Sequence, residues 1–386
     1  MSPRPTGPRP GLLTVMGRYL FFSHDGYGLG HVRRNSVIAQ ALKRAEPNAS
    51  VTIVTGVPSR PTWLERWGRD VVRVPPLLKD GRGRYRPLEM SFEEAVARRA
   101  AIFVETVHRV RPHVVVVDRH PFGTAGELRE GLEMAARRGS ALVLGLRDIL
   151  DDPSVIADEM KGQDWAEVPD LFAEVLVYGA RRFCDHQEEY GLPVRPTYCG
   201  WVVDSPAPRA RDPRLLAAAA GGGGDGEAVF RLATQALLRQ PNWRGELAAG
   251  PFGDAHAVRR AACSLNGRLK VHQGMSECSA LFARAGAVVQ MAGYNSTFEA
   301  LRAGHRSVLV PRRHPRREQA IRAERLVGLG LVDVVEPDAS PEDLVRLLDR
   351  PRTVGPATVT RSGVDMRGAD RAAAWIRRVA EVVSAA

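Results

Sequence analysis

Short apolar runs alternate with longer amphipathic stretches from residue 19 to residue 177, and after a Pro-rich passage at 200–214 the alternation begins again. That pattern strongly limits the fold. A parallel pair of strands needs a long crossover, usually a helix, so strand-length runs spaced by helix-length segments make parallel sheets covered by helices. The first series predicts strands over 19–22, 51–54, 71–74, 114–117, 141–146 and 174–177, and helices over 32–44, 92–110, 126–138 and 155–162. Its four consecutive valines, Val114 to Val117, mark a strand buried on both faces. The second series predicts strands over 215–219, 246–249, 269–272, 287–290, 307–310 and 332–335, and helices over 228–239, 276–284, 296–303, 317–329 and 341–349. A final amphipathic helix over 369–384 is placed to pack back on the first half. A chain of 386 residues exceeds what one core usually spans. The expected layout is a disordered tail over 1–16, one parallel-sheet domain over 17–204, a second over 205–366, and a C-terminal helix over 367–386. Two such sheets facing each other set the carboxyl ends of their strands around a cleft, where open parallel sheets bind ligands.

The formal net charge of +11 raises the question of nucleic acid. Only Lys43, Lys79, Lys161 and Lys270 among the 55 basic residues are lysines, and the arginines are scattered along the whole chain. Aromatic residues make up 6%, too few for base-stacking platforms, so no nucleic-acid partner is expected. Scattered arginine still favours anionic ligands, phosphates above all. The four cysteines show neither CxxC pairing nor zinc spacing, no apolar stretch reaches bilayer length, and no signal layout opens the chain. A cytoplasmic setting without a metal is the expectation. Contact with the inner face of a membrane stays open.

Two glycine-rich loops sit between a strand and a helix. In SHDGYGLGHVRRN, residues 23–35, glycines including Gly28 and Gly30 let the backbone approach a ligand. The spacing is not GxGxxG, and no acid ends the second strand, which excludes a plain dinucleotide fold. His31 falls in the first turn of the helix, a place for a general base. Asp118 closes the four-valine strand, so the end of that strand sets its carboxylate on the ligand face. It either pairs with His31, orienting the ring, or forms a salt bridge with Arg119 or Arg147. His120, Asp148, His24 and Asp25 are further candidates, His120 on the acceptor side. The second loop, residues 217–228, opens the second series with Gly222, Gly223 and Gly224, whose amides suit phosphate oxygens.

The densest signal is QMAGYNSTFEALRAGHRSVLVPRRHPRREQ, residues 290–319. Gly293 opens a turn after a strand, and Asn295, Ser296 and Thr297 then start a helix with Glu299 in its first turn. Free amides at such a start bind a pyrophosphate, and Glu299 suits two ribose hydroxyls. Ser296 and Glu299 also have capping-box spacing. Farther on, Glu318 and Gln319 place a carboxylate beside a carboxamide, suited to vicinal sugar hydroxyls. Arg312, Arg313, Arg316 and Arg317 either meet phosphates or form a solvated basic loop.

This stretch, with GLGH near the N-terminus and the glycine run of the second half, resembles the donor-binding region of GT-B glycosyltransferases and is most similar to the MurG family. The resemblance spans most of residues 17–350. It implies a GT-B type α/β fold, two Rossmann-like parallel-sheet domains facing across a cleft. It also implies an inverting, metal-independent hexosyltransferase whose donor is a nucleotide-sugar, a UDP-sugar foremost with UDP-N-acetylglucosamine as one candidate, used as co-substrate with no separate cofactor. The acceptor would be a small molecule, a glycan or a lipid-linked molecule. By resemblance Gly293, Asn295, Ser296 and Thr297 contact the diphosphate, with Gly222, Gly223 and Gly224 near it. Glu299 contacts the ribose, Val271 borders the base, Glu318 and Gln319 hold the sugar, and His31 with Asp118 is the catalytic pair. Two departures stand out: the family's GGTGGH-like loop is GYGLGH here, and its usual pair of glutamines is Glu318-Gln319. A UDP-sugar 2-epimerase or nucleotide-sugar hydrolase on the same fold, and a non-catalytic nucleotide-sugar binder, are the competing expectations.

Overall fold

A computed structural model describes residues 16–24, 29–58, 63–64, 70–79, 85–87, 89–204, 209–221, 226–250, 263, 265–275 and 278–385. Residues 1–15 of the expected tail, Asp25, Gly28, and Gly222, Gly223 and Gly224 lie outside these.

The apolar runs form two parallel sheets. The first contains β1 (Arg18–Ser23), β2 (Ser50–Thr55), β3 (Asp70–Arg73), β6 (Val114–Asp118), β7 (Ala141–Arg147), β8 (Glu174–Tyr178) and β9 (Thr197–Tyr198), while β4 (Leu77–Lys79) and β5 (Tyr85–Pro87) make a separate antiparallel pair. Strand order is β3-β2-β1-β6-β7-β8-β9, every pairing parallel. The second sheet contains β10 (Leu215–Ala219), β11 (Arg244–Ala248), β12 (Leu269–His272), β13 (Ala287–Gln290), β14 (Val308–Leu309) and β15 (Asp333–Val334) in the order β12-β11-β10-β13-β14-β15, again all parallel. The four valines are fully buried in the middle of the first sheet, as a strand covered on both faces must be.

In both sheets the order in which strands are added reverses once. The reversal lies between β1 and β6 in the first and between β10 and β13 in the second. At such a switch point the loops leaving the two strands diverge to opposite faces and leave a crevice. The two crevices are therefore bordered by the ends of β1 and β6 and by the ends of β10 and β13, the places of the motifs singled out above.

One continuous apolar core joins the halves: Tyr294, Phe298, Leu309 and Leu326 of the second half belong to the same buried cluster as the first sheet. The chain leaves the first half at Gly200 and returns beside it. Trp201 N donates to Asp365 O at 2.8 Å, and Gly368 N donates to Trp201 O at 3.0 Å. Gly200 has φ 83°, and a Cβ there would lie 2.5 Å from Asp365 O, so the paired crossing requires glycine. The returning helix Gly368–Ala385 packs on the Gly30–Ala45 helix and on β6, β7 and β8. Strands expected at 307–310 and 332–335 shorten to two residues each. Helix Tyr294–Arg302 begins two residues earlier than the polar run suggested, because Gly293 rather than Asn295 occupies the N-cap. Among the described residues, no helix is long and apolar enough to cross a membrane.

Candidate active site

The cleft between the two switch points is lined from the first half by Gly30, His31, Arg33, Arg34 and Arg147. From the second half come Gly221, Gly293, Asn295, Ser296, Glu299, Glu318 and Gln319. Eight of the candidate site residues, Gly30, His31, Gly293, Asn295, Ser296, Glu299, Glu318 and Gln319, thus line one opening, on elements more than a hundred residues apart.

His31 is the second residue of the Gly30–Ala45 helix, and Asp118 is the last of β6. Adjacent strands β1 and β6 bring them together, with His31 Nδ1 3.1 Å from Asp118 Oδ2. The Nδ1-protonated tautomer donates to this carboxylate and leaves the Nε2 lone pair as the basic atom. Asp118 has the second partner that sequence spacing left open, but that partner is Arg34 and not Arg119 or Arg147. Arg34 Nη2 lies 2.8 Å from Asp118 Oδ1 and 2.5 Å from Oδ2. Arg119 turns away to Glu159, at 2.7 Å. The reason is helical: Arg34 stands three residues after His31 and so shares its face of the helix. Burial opposes ionisation of Asp118, yet Arg34 and His31 outweigh it and hold the carboxyl below its usual range.

The Arg34 guanidinium sits between two rings, 5.3 Å from the centroid of Tyr178 and 5.4 Å from that of Tyr294. Tyr294 belongs to the other half, and its hydroxyl donates to Tyr178 O at 2.9 Å while accepting from Val202 N at 2.8 Å. Sequence reading passed over both Arg34 and Tyr294. A cation three residues beyond the candidate base and the lone aromatic in AGYNS were the available signals.

On the opposite wall the helix Tyr294–Arg302 points its N-terminus at the cleft. Its first backbone amides have no intrahelical acceptor, which makes an anion site by construction. Asn295 Nδ2 donates across the cleft to Gly30 O at 3.0 Å, so Gly30, read as acceptor-side, touches the opposite wall. Thr297 differs from expectation: it is fully buried and its amide donates to Gly293 O at 3.1 Å. Glu299 is not in the first turn and makes no capping box, since it is the sixth residue of its helix and no side chain caps that helix. It lies instead 3.5 Å from Arg33 Nε. Arg33 also reaches Asp204 at 3.1 Å. Val271 is half-buried against the second core, with Met275 and Cys278 nearer the cleft.

Glu318 opens the helix Glu318–Gly328, and Gln319 follows. Arg312 bonds Glu318 Oε1 at 2.5 Å, and the Arg312 amide donates to Gln319 Oε1 at 3.2 Å. Oε2 of Glu318 is buried with no hydrogen-bond partner, an acceptor available to a ligand hydroxyl. Burial opposes ionisation of this carboxyl too, but Arg147 and Arg312 hold it low. The loop arginines have acid partners, although Arg313 and Arg317 are exposed as a solvated loop would have them. Arg313 pairs with Glu336 at 2.5 Å, Arg317 with Asp152 at 2.8 Å, and Arg316 approaches Asp151 at 3.8 Å. The last two strap the loop to the first half. Asp148, one of the further candidates from sequence, sits at the interface, bonded to Arg322 of the second half at 2.7 Å and to Trp201 Nε1 at 3.0 Å. His120 is on the first-half rim, its ring 4.5 Å from that of His24 and its Nδ1 3.5 Å from Glu159.

Compared with solved structures, the chain resembles the glycotransferase of kitacinnamycin over 98% of its own length and 99% of the other, at 16% identity and TM-score 0.61. It resembles Acinetobacter baumannii MurG over 96% of this chain and 100% of that one, at 14% identity and TM-score 0.55. It resembles TcCGT1, solved in complex with UDP, over 96% of this chain and 99% of that one, at 11% identity and TM-score 0.62. No protein-family model matches the sequence, and no curated protein matches it. With two parallel sheets facing across the cleft, the chain has the GT-B fold.

Proposed function

We propose that this protein is a glycosyltransferase that moves a hexose from a nucleoside-diphosphate sugar to an acceptor hydroxyl, with inversion and without a metal. A UDP-sugar is the preferred donor, UDP-N-acetylglucosamine among the candidates. The observation that carries the proposal is the opposition of two devices: a His31–Asp118 pair at one switch point and the amide-rich start of the Tyr294–Arg302 helix at the other. Fold and site agree, and solved neighbours of the same fold include one holding UDP.

In this reading the acceptor oxygen attacks the anomeric carbon as His31 Nε2 takes its proton. The bond from that carbon to the phosphate oxygen breaks, and its electron pair stays on the diphosphate. Asp118 steadies the imidazolium as it forms, while the helix start stabilises the departing charge in place of a metal. Glu318 Oε2 accepts from a sugar hydroxyl. Gly293, Asn295 and Ser296 border the diphosphate, and Glu299 the ribose.

Melting curves with UDP, GDP, dTDP and ADP, in the absence of metal, test the donor assignment. A diphosphate at a hundred times its dissociation constant adds about 2.7 kcal/mol of stability, so one of the four should raise the melting temperature selectively. If none does, the donor site is wrong. Glu299→Ala should then weaken the selected diphosphate by roughly 1–3 kcal/mol, the usual loss for a charged hydrogen bond. Calorimetric affinity equal to that of the unaltered protein would remove Glu299 from the donor site.

A further inference from the structure

The arginines around the cleft nearly all carry a carboxylate partner. Arg34 is held by Asp118, Arg119 by Glu159, Arg312 by Glu318, Arg317 by Asp152 and Arg322 by Asp148. Arg147 differs from them. It is the last residue of β7, at the carboxyl end of the first sheet, and it lines the cleft together with Gly293 and Ser296 of the other half. Its guanidinium makes a single hydrogen bond, from Nη2 to Leu150 O at 3.1 Å, and its Nε is buried with no partner. Glu318 acts on it only at longer range and is already bonded to Arg312.

Burial pushes the Arg147 pKa down to about 10; Glu318 works against the fall, and the crowding of Arg322, Arg316 and Arg119 adds to it. The side chain is nevertheless charged at neutral pH. A partly buried guanidinium that bonds no carboxylate carries a desolvation cost, which Glu318 at longer range offsets only in part. Its planar fork of donors also matches the oxygens of phosphate and carboxylate better than any other side chain does. The four arginines of the 312–317 loop, which by sequence were the candidates for meeting phosphate, are taken up by acids.

We propose that Arg147 binds an oxyanion of the nucleotide-sugar donor, reaching across the cleft from the first half to a ligand seated on the second. This rests on the transferase reading. Two parts of a donor carry that chemistry, the diphosphate and, where the sugar is a hexuronic acid, its carboxylate. On the diphosphate the guanidinium meets the negative charge left when the bond to the anomeric carbon breaks. The arrangement makes donor binding depend on both halves, because the helix start at Gly293 and the cation at Arg147 belong to opposite sheets.

The test compares unaltered protein with Arg147→Met and Arg147→Lys, using the diphosphate selected from UDP, GDP, dTDP and ADP, and its glucose and glucuronic acid derivatives. Arg147→Met should lower affinity for the diphosphate at least tenfold without lowering the melting temperature of the unliganded protein. Arg147→Lys should fall between. A loss seen with the diphosphate itself places the contact there, and a loss confined to the glucuronic acid derivative places it on the sugar carboxylate. Either supports the proposal. Unchanged affinity of Arg147→Met for all three ligands overturns it and leaves the transferase reading standing. So does a lowered melting temperature with intact affinity, the mark of a purely structural residue. Unaltered protein that binds none of the four diphosphates overturns both.

Discussion

Replacing His31 with alanine should lower the turnover number by about 10²–10⁴-fold, the usual contribution of a positioned general base, with donor affinity close to unchanged. The expectation of intact affinity comes from geometry. His31 is not among the residues read as donor contacts, which apart from Arg147 belong to the second half, and the substitution leaves the Arg34–Asp118 pair whole. Asp118 cannot be tested so simply. Asp118→Asn would strand the fully buried Arg34 guanidinium, and breaking a buried pair from one side costs about 3–5 kcal/mol. A fall in activity would then mix chemistry with loss of folded protein. Single-turnover rates and calorimetric donor affinity on His31→Ala separate the two. Turnover within threefold of the unaltered protein would remove His31 from the chemistry.

The pattern of strands and helices was legible because parallel strands buried on both faces read as unbroken apolar runs, and the helices between them keep a 3.6-residue period. Very short elements carry no such signal. β9 has two residues, and the helices Gln163–Ala166 and Val168–Leu171 have four each, so packing and not periodicity decides them. Residues near the cleft were legible where they end a strand or open a helix, as Asp118, His31 and Gly293 do. Their partners were not. Whether Asp118 meets Arg34 or Arg119 depends on which way the backbone turns after the strand, and Arg119 takes φ 78°, which carries its side chain off toward Glu159. The same holds for Glu299, where S-x-x-E spacing fits a cap as well as a ligand, and only the helix start at Tyr294 excludes the cap. Contacts between the halves were beyond reach for a further reason: the charges that meet there, Asp148 and Arg322, are 174 residues apart.

That pair is where the largest loss of stability is expected. Asp148 and Arg322 are both fully buried, and the guanidinium meets the carboxylate through Nη2 at 2.7 Å and Nε at 3.0 Å, with Arg322 Nη1 donating to Ala292 O at 2.9 Å. Asp148→Ala leaves Arg322 charged and dry, so it should cost about 3–5 kcal/mol, a large part of the roughly 5–15 kcal/mol that holds a typical domain. Replacing both partners, Asp148→Leu with Arg322→Met, should recover most of that loss, because no buried charge remains. The effect also has a pH signature. Burial opposes ionisation of Asp148, but Arg322 and Trp201 hold its pKa below that of an unfolded aspartate. A depressed carboxyl stabilises the fold above its unfolded pKa of about 3.9, and that stability is lost as pH falls from there through the folded value. The unaltered protein should therefore lose urea resistance below about pH 4 more steeply than the double variant. Arg322 is four residues beyond Glu318 on one helix, so the pair also fixes the helix that presents Glu318 to the cleft. Asp148→Ala should then weaken donor binding as well as folding. A stability loss under about 1 kcal/mol would mean that Tyr294 and the shared apolar core, and not this ion pair, hold the two sheets at their working distance.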